Sequence, residues 1–425
     1  PPMVRVTMLA LEQVPAESIE SGQMAGCTHR QLLWKVLIPS AAPGLMVGVN
    51  QVIMLSLNMV IIASMIGAGG LGFDVLSSLK RLAIGSGLEA GIAITVLAIA
   101  LDRLSQAFAV RSTVVHQGDE SGLMARHGHL VIAVSIIVIA WALSFFLPAV
   151  RSYPEAWTLT TSGFWEELVK WINVNYFDQL EAFKTFLLLN FLIPVKRFLL
   201  ATPWVVVVGF VGLLGYRLGG WRLALLTTLL ALFIAFTGGW KKAMVTVYLC
   251  GVSVFFATLI GVPIGIWSAR NERAHRVVQV CIDTLQTLPS FVYLIPVVML
   301  FRVGDFAAML AIVAYAVAPA IRYTDHGIRQ IPGHLVEAAI AAGCTRGQTL
   351  RKVQLPVALP EIMLGINQTI MMALSMLVIT ALVGTRELGQ EVYIALTKAD
   401  TGRGLVAGVS VAFIAIIADR LIKAW

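Results

Sequence analysis

The chain has 425 residues, 58% of them hydrophobic and only 13% charged. Soluble globular domains carry about 45–50% apolar and about 25% charged residues, so an ordinary soluble fold is excluded. The formal net charge is +8, but the basic residues are scattered between apolar runs rather than gathered in one patch. That distribution argues against a nucleic-acid partner and fits the loops of a membrane protein.

The apolar runs set the fold class as all-α membrane protein. A spanning helix needs roughly 20 apolar residues, and in lipid the backbone must satisfy its own hydrogen bonds. In chain order the expected spans are residues 45–66, 89–103, 131–147, 198–216, 223–236, 245–267, 277–301, 307–321, 364–383 and 406–418, about ten in all. Residues 106–129 form a polar linker. Residues 164–198 interleave Trp165, Trp171, Phe177, Phe183 and Phe186 with Glu166, Glu167, Lys170, Asp178, Glu181 and Lys184. They read as one or two amphipathic helices lying in the membrane interface, or as an outer loop.

The chain repeats itself. Glu337 lies 317 positions after Glu20, and the same offset pairs Pro15 with Pro332, Gly26-Cys27-Thr28 with Gly343-Cys344-Thr345, and Pro39 with Pro356. It also pairs Asn50-Gln51 with Asn367-Gln368, Gly72 with Gly389, and Asp102-Arg103 with Asp419-Arg420. Roughly four positions in ten are identical across residues 13–72 without a gap, which identifies a duplicated unit. The second copy has spans upstream of Pro319 and the first begins at the matching position. The natural chain is therefore expected to extend upstream by several spans.

With both repeated loops on the cytoplasmic side, each leads into a span going outward and another returning. A modest majority of the 31 Lys and Arg then lies inside, the sign that membrane insertion favours. Lys241-Lys242 and Lys196-Arg197 fall outside, against that bias. The four cysteines, Cys27, Cys250, Cys281 and Cys344, include no CxxC pair, and a disulfide framework is not expected.

Each repeated loop joins small residues to helix punctuation. Glu337-Ala-Ala-Ile-Ala-Ala-Gly343 is helix-forming and ends on a Gly. A short amphipathic stretch follows, and Pro356 opens the next span. Ala and Gly side chains allow another protein's surface to approach closely, so a short helix–turn–helix here suits docking.

At these residues the sequence resembles the permeases of ABC importers, whose signature loop is Glu-Ala-Ala, a Gly, and a Leu-Pro about a dozen residues on. Asp283-Thr-Leu-Gln-Thr-Leu-Pro-Ser-Phe-Val-Tyr-Leu-Ile-Pro296, Gly365-Ile-Asn-Gln-Thr-Ile-Met371 and Ile66-Gly-Ala-Gly-Gly-Leu-Gly72 narrow the resemblance to the glycine betaine/proline (osmoprotectant) permeases. Two permease units fused in one chain also look like the trimethylamine N-oxide permeases. The resemblance implies a type I ABC importer transmembrane fold in the bacterial cytoplasmic (inner) membrane. It implies coupling to ATPase domains through Glu20, Gly26, Cys27, Thr28 and Pro39 in one loop and Glu337, Ala338, Ala339, Gly343, Cys344, Thr345 and Pro356 in the other. The organisation implied is residues 1–105, the C-terminal part of a first permease unit with its coupling loop at 15–43; 106–129, a cytoplasmic linker; 130–200, a span plus an outer interfacial segment; and 201–425, a second permease unit with its coupling loop at 332–360. The first loop departs from the pattern, reading Glu20-Ser21-Gly22. Gly weakens a helix by up to about 1 kcal/mol relative to Ala, so docking there is expected to be looser, or the loop is a relic that does not dock.

The partners implied are two ABC ATPase domains, a periplasmic or surface solute-binding protein, membrane lipid and a small solute: betaine, choline, proline betaine or trimethylamine N-oxide. No cofactor is expected in this chain. A P-loop needs GxxxxGK[ST] and no Gly-Lys pair occurs, so ATP and Mg belong on the partner ATPase. No catalytic arrangement stands out, and the chain is not expected to be an enzyme. Gly67-Ala-Gly-Gly-Leu-Gly72 matches GxGxxG but follows a membrane helix rather than a strand, and reads as a turn. His127 and His129, with His116, lack Cys or carboxylates at ligand spacing, so no metal site is assigned.

Asn50, Gln51, Asn367 and Gln368 either line a central pathway for a polar solute or hydrogen-bond between helices. Asp283 either lines the cytoplasmic mouth or is an interfacial residue near Arg276. Met59 and Met376 suit packing or a flexible gate. The alternative function is an ion-coupled secondary transporter, for which inverted repeats and mid-membrane carboxylates are the signature; the repeat here is parallel. A membrane scaffold without transport is the third reading.

Overall fold

The computed structural model describes residues 2–81, 83–112, 123–145, 158 and 160–424, and among them there is no β-strand. Two compact units are distinguished, residues 1–53 with 100–163, and residues 54–99 with 164–425. Two of the three boundaries fall within long helices, α4 (Ile38–Met65) and α6 (Ile84–Ser112), and the third at the start of the helix Ser162–Leu187.

The first unit contains α1 (Pro2–Glu12), α2 (Ala16–Met24), α3 (His29–Leu32), the start of α4, the end of α6 and α7 (Leu123–Leu143). Its core is small: Ala10, Val14 and Ala41, flanked by Leu11, Ile19, Leu37 and Leu45. A methyl on Gly44 would stand 2.6 Å from the Ala10 Cβ, so α1 and α4 touch through small residues.

The second unit adds α5 (Leu71–Arg81), α8 (Ser162–Leu187), α9 (Ile193–Ala201), α10 (Trp204–Phe236), α11 (Trp240–Arg270), α12 (Glu272–Thr287), α13 (Leu294–Phe301) and α14 (Asp305–Arg329). It ends with α15 (Gly333–Ala341), α16 (Arg346–Thr349), α17 (Leu355–Thr380), α18 (Leu388–Lys398) and α19 (Thr401–Lys423). The core is the triple α11–α14–α17. Between lipid-soluble helices hydrophobicity supplies little drive, so close packing of small residues must hold them. Gly261 lies against Ala320, Gly265 against Thr324, and Gly365 against Tyr323; a methyl at any of these would come within 2.6–2.7 Å of the neighbour. Ala308, Ala311, Ile312 and Ala316 of α14 are fully buried.

Among the described residues, five helices are long and apolar enough to cross a membrane: α10, α11, α14, the stretch Arg346–Val383, and α19; a sixth arises if one bent pair counts as a span. About ten spans were expected over the whole chain, and the described helices divide several of those runs differently. Residues 277–301 are not one span. The chain breaks at Leu288-Pro289, and the helices on either side diverge by 105°, because Pro289 lacks the N–H that a continuing helix needs. Residues 198–216 and 223–236 fall largely within α10, which is a hairpin rather than one rod. Gly220 has φ 73 and ψ −168. The arms touch: a methyl on Gly212 would stand 2.6 Å from the Thr228 Oγ1, and the Thr227 hydroxyl lies 3.5 Å from the Val211 carbonyl. Residues 45–65 lie on α4 and residues 89–103 on α6. Of residues 131–147, the last two lie outside the described residues, as do the linker positions 113–122 with His116.

The sidedness of the second unit follows from α17. It leaves the second repeated loop and runs 26 residues, about 39 Å at 1.5 Å per residue. The segment from Thr385 to Lys398 therefore lies on the face opposite that loop. Lys242, near the start of α11, pairs with Glu391 of α18, and Glu391 also takes Arg403. The start of α11 and the open end of the α10 hairpin therefore share that face. So does Asp305, whose carboxylate pairs with Lys196 at 2.6 Å. The amphipathic α8 is a 26-residue helix kinked at Tyr176. It docks through Asn173, which donates to the Met299 carbonyl at 3.4 Å, and leaves Trp171, Phe177 and Phe186 exposed.

Candidate functional site

The two repeated loops adopt the same conformation bond for bond. Pro15 and Pro332 cap nine-residue helices, α2 and α15, with φ/ψ of −56/134 and −56/131. Both helices end in a Schellman motif. The Gly26 N–H bonds the Gln23 carbonyl at 2.9 Å and the Cys27 N–H bonds that of Gly22 at 3.2 Å. In the second loop the Gly343 N–H reaches Ile340 at 2.9 Å and the Cys344 N–H reaches Ala339 at 3.0 Å. The motif needs a left-handed residue, supplied by Gly26 at φ 72 and Gly343 at φ 79. Cys27 and Cys344 are half-buried, so a small side chain recurs where the motif folds back on its helix.

Thr28 and Thr345 then cap the next helix. Each side-chain oxygen accepts from the backbone N–H three residues on, at 3.4 Å. The Gln31 and Gln348 side chains return the bond to the Thr28 and Thr345 N–H at 2.9 and 2.8 Å. This is a capping box, two orphan donors satisfied reciprocally. Next come five-residue π segments, Leu33–Leu37 and Leu350–Gln354. Pro39 and Pro356 explain them. Each offers no N–H to the carbonyl four residues back and its ring presses on the preceding turn, so the helix widens to i→i+5 bonding before continuing.

Glu20, Glu337, Ala338, Gly26, Gly343, Pro39 and Pro356 are all exposed, and so are Met24 at 90% and Ile340 at 62%. Ala339 points inward instead, and so does its counterpart Gly22. A methyl on Gly22 would stand 2.7 Å from the Leu32 Cδ1. In the second loop, position 32 is matched by the smaller Thr349, also buried. Gly with Leu and Ala with Thr carry the same number of side-chain heavy atoms, so the Ser21-Gly22 departure is a packing exchange on the buried face. Gly22→Ala is expected to destabilise the loop by roughly 1–3 kcal/mol through overpacking, and Leu32→Thr added to it is expected to restore much of the loss. Thermal melts of the four members of this cycle check it; additive effects would remove the compensation.

Of the other residues singled out, the side chains of Asn50 and Gln51 lie outside the described residues. Asn367 is buried and its Nδ2 donates to the Asp419 carboxylate at 2.8 Å, tying α17 to α19. Gln368 is exposed and lines with Asn367, Asp419 and Arg420 a cleft of about 390 Å³. Asp283 is solvent-exposed and accepts from Arg322 at 2.6 Å rather than from Arg276. Met376 is fully buried and packs in the core, whereas Met59 is exposed.

One cluster escaped the sequence reading. Asp325, 3% exposed, takes the His275 Nδ1 at 3.1 Å and the Arg329 Nε at 3.3 Å, and the Gln279 Nε2 at 3.3 Å. Arg329 also reaches Glu272 at 2.6 Å and the Ser268 carbonyl at 3.2 Å. The Arg329 hydrogen bond holds the Glu272 carboxyl below its ordinary range. The cluster binds α11, α12 and α14 together three residues before Pro332, where the second loop begins. Its one sequence signal was the i,i+4 pair Asp325 and Arg329. The matching positions of the first copy are Met8 and Glu12.

Compared with known families, residues 1–113 and 261–424 match the family described as binding-protein-dependent transport system inner membrane component. The chain belongs to this family. It is thus a multi-pass chain of the inner membrane. A trimethylamine N-oxide transport system permease protein from Pelagibacter ubique is 42% identical, with 100% of this chain and 60% of that protein aligned. The protein of the same description from Ruegeria pomeroyi is 36% identical, over 100% of this chain and 65% of its own length. The chain therefore spans less than two thirds of either. A glycine betaine transport system permease protein from Bacillus subtilis is 45% identical over 47% of this chain and 71% of its own length.

Proposed function

We propose that this inner membrane component is the permease of an ATP-driven importer, moving a small compatible solute into the cell by alternating access. The observation that carries the reading is the duplicated loop. Two helix–turn–helix segments of one conformation, exposed through Glu, Gly and small side chains, suit rigid docking of two ATPase domains. On this reading residues 20–39 and 337–356 are the coupling segments. ATP and Mg reside on separate ATPase subunits, and a periplasmic or surface solute-binding protein delivers the solute. Closure of the ATPases would pull both segments and rock the helix bundles between two states. Moving such an equilibrium from 1:99 to 99:1 takes about 5.5 kcal/mol of differential binding.

Trimethylamine N-oxide is the first solute to test, because the relatives named for it align along the whole chain. Betaine, choline and proline betaine follow. The experiment is copurification followed by uptake into vesicles. An associated ATPase and uptake that stops without ATP support the reading. Uptake that persists without ATP but collapses with a proton or sodium gradient would make the chain a secondary transporter instead.

A further inference from the structure

Lys241 and Lys242 lie on the face opposite the second repeated loop; with the loops cytoplasmic, as the proposed function has them, that is the outer face, where inner-membrane proteins carry fewer basic residues. The structure accounts for one of them. Lys242 is held by Glu391. Lys241 is exposed and pairs with no carboxylate among the described residues. It lines a cleft of about 620 Å³ with Trp204, Phe236, Gly238, Trp240 and Lys242. Trp204 opens the first arm of the α10 hairpin and Phe236 closes the second, so cleft and hairpin mouth lie at one depth. Trp and Lys at one depth mark the headgroup level of a bilayer. Along the hairpin away from the cleft, Phe210, Leu213, Leu225 and Leu229 are exposed and form an apolar wall. The hairpin tip repeats the aromatic–basic pairing, with Arg222 over the Trp221 ring at 5.7 Å.

We infer that this cleft holds the headgroup of an anionic glycerophospholipid, its phosphate at Lys241 and its acyl chains along the exposed hairpin. Charge complementarity chooses the occupant: a cation without a carboxylate partner, beside two tryptophans at the head of an apolar wall, fits an anionic amphiphile. A zwitterionic lipid brings a phosphate but adds a headgroup cation beside Lys241 and Lys242, and a soluble anion leaves the wall uncovered. The inference rests on the inner-membrane assignment and on no choice of solute.

The test uses the importer complex carrying this chain, reconstituted into nanodiscs of phosphatidylcholine with or without phosphatidylglycerol, and counts bound lipid by native mass spectrometry. Phosphatidylglycerol is expected to be retained over phosphatidylcholine. Lys241→Gln is expected to weaken that preference about fivefold, the effect of one basic side chain at an anionic surface, with Lys241→Arg keeping it. Both variants alter an exposed side chain, and unchanged gel-filtration profiles establish that they fold. Equal retention of the two lipids, or an unchanged preference in Lys241→Gln, overturns the inference. Displacement of the lipid by millimolar inorganic phosphate overturns it too, in favour of a soluble-anion site.

Discussion

Replacing Gly343 with valine is expected to abolish solute uptake while leaving the solute-binding protein's affinity for its ligand unchanged. Gly343 sits at φ 79, where an L-residue costs roughly 1–2 kcal/mol and a β-branched one more. Both Schellman bonds of the second loop depend on that conformation. A Cβ at this position has no neighbour within 4 Å, so a side chain here projects outward, into the space an ATPase would occupy. Gly343→Asn separates the two effects, because Asn tolerates the left-handed region. If backbone strain alone matters, the Asn variant transports nearly as well as the parent. If close approach of a partner matters, it loses uptake and ATPase copurification together. Unchanged uptake in Gly343→Val would remove Gly343 from the docking surface.

The loops were legible in the sequence because their conformation is written in punctuation. Gly26 and Gly343, Thr28 with Gln31, Thr345 with Gln348, and the prolines at 39 and 356 each act within a few residues. An ungapped repeat shows each twice. The π segments were not legible. A helix meeting a proline can kink, stop or widen, and the choice depends on what packs against it. The break at Pro289 carried a visible signal that the apolar run masked, since hydropathy is indifferent to a missing N–H. The α10 hairpin was legible as two runs, but not as arms in contact, because Gly212 and Thr228 meet only after the turn at Gly220.

Contacts between distant positions were the least legible. The Gly22–Leu32 exchange needs the knowledge that both face inward, and a residue-by-residue comparison scores it as two losses. The Asn367–Asp419 bond joins positions 52 apart. The repeat pairs each of the two residues with its own counterpart, Asn50 and Asp102, but does not say that they touch. This bond makes Asn367 a brace between helices, so a polar residue matched in both copies does not by itself mark a pathway. The Asp325 cluster has no counterpart at the matching positions of the first copy. The repeat therefore preserves the loop conformation while the scaffold behind each loop has diverged.

Stability is expected to fall as pH rises from about 4.5 to about 7, and Glu387 is expected to be a main cause. This carboxyl lies between two spans and is fully buried. It accepts from the Gly389 N–H at 2.9 Å, the Thr385 hydroxyl at 3.3 Å and the Thr246 hydroxyl at 3.4 Å. Removal from water outweighs these bonds and pushes its pKa up to about 7, with Asp305 adding a smaller push in the same direction. Nearby Lys242 and Arg403 are engaged by Glu391, so neither offsets it. Below pH 4.5 both folded and unfolded chains hold the proton. Between 4.5 and 7 the unfolded chain has lost it and the folded chain has not, so the unfolded state gains with each step in pH, by roughly 3 kcal/mol across the interval. Above 7 both are ionised and the contribution is flat. Glu391 titrates the other way, its carboxyl held low chiefly by the Arg403 hydrogen bond, so its contribution is lost only as pH falls below about 4.5. Glu387→Gln isolates the Glu387 contribution: Gln keeps the shape and stays neutral. The melting temperature of the parent minus that of Glu387→Gln, read from pH 5 to 8 in detergent, is expected to fall steadily to about pH 7 and then level. Parallel profiles would mean that Glu387 is ionised throughout, and that the clasp between α11 and α18 holds a buried charge with two hydroxyls and one N–H to stabilise it.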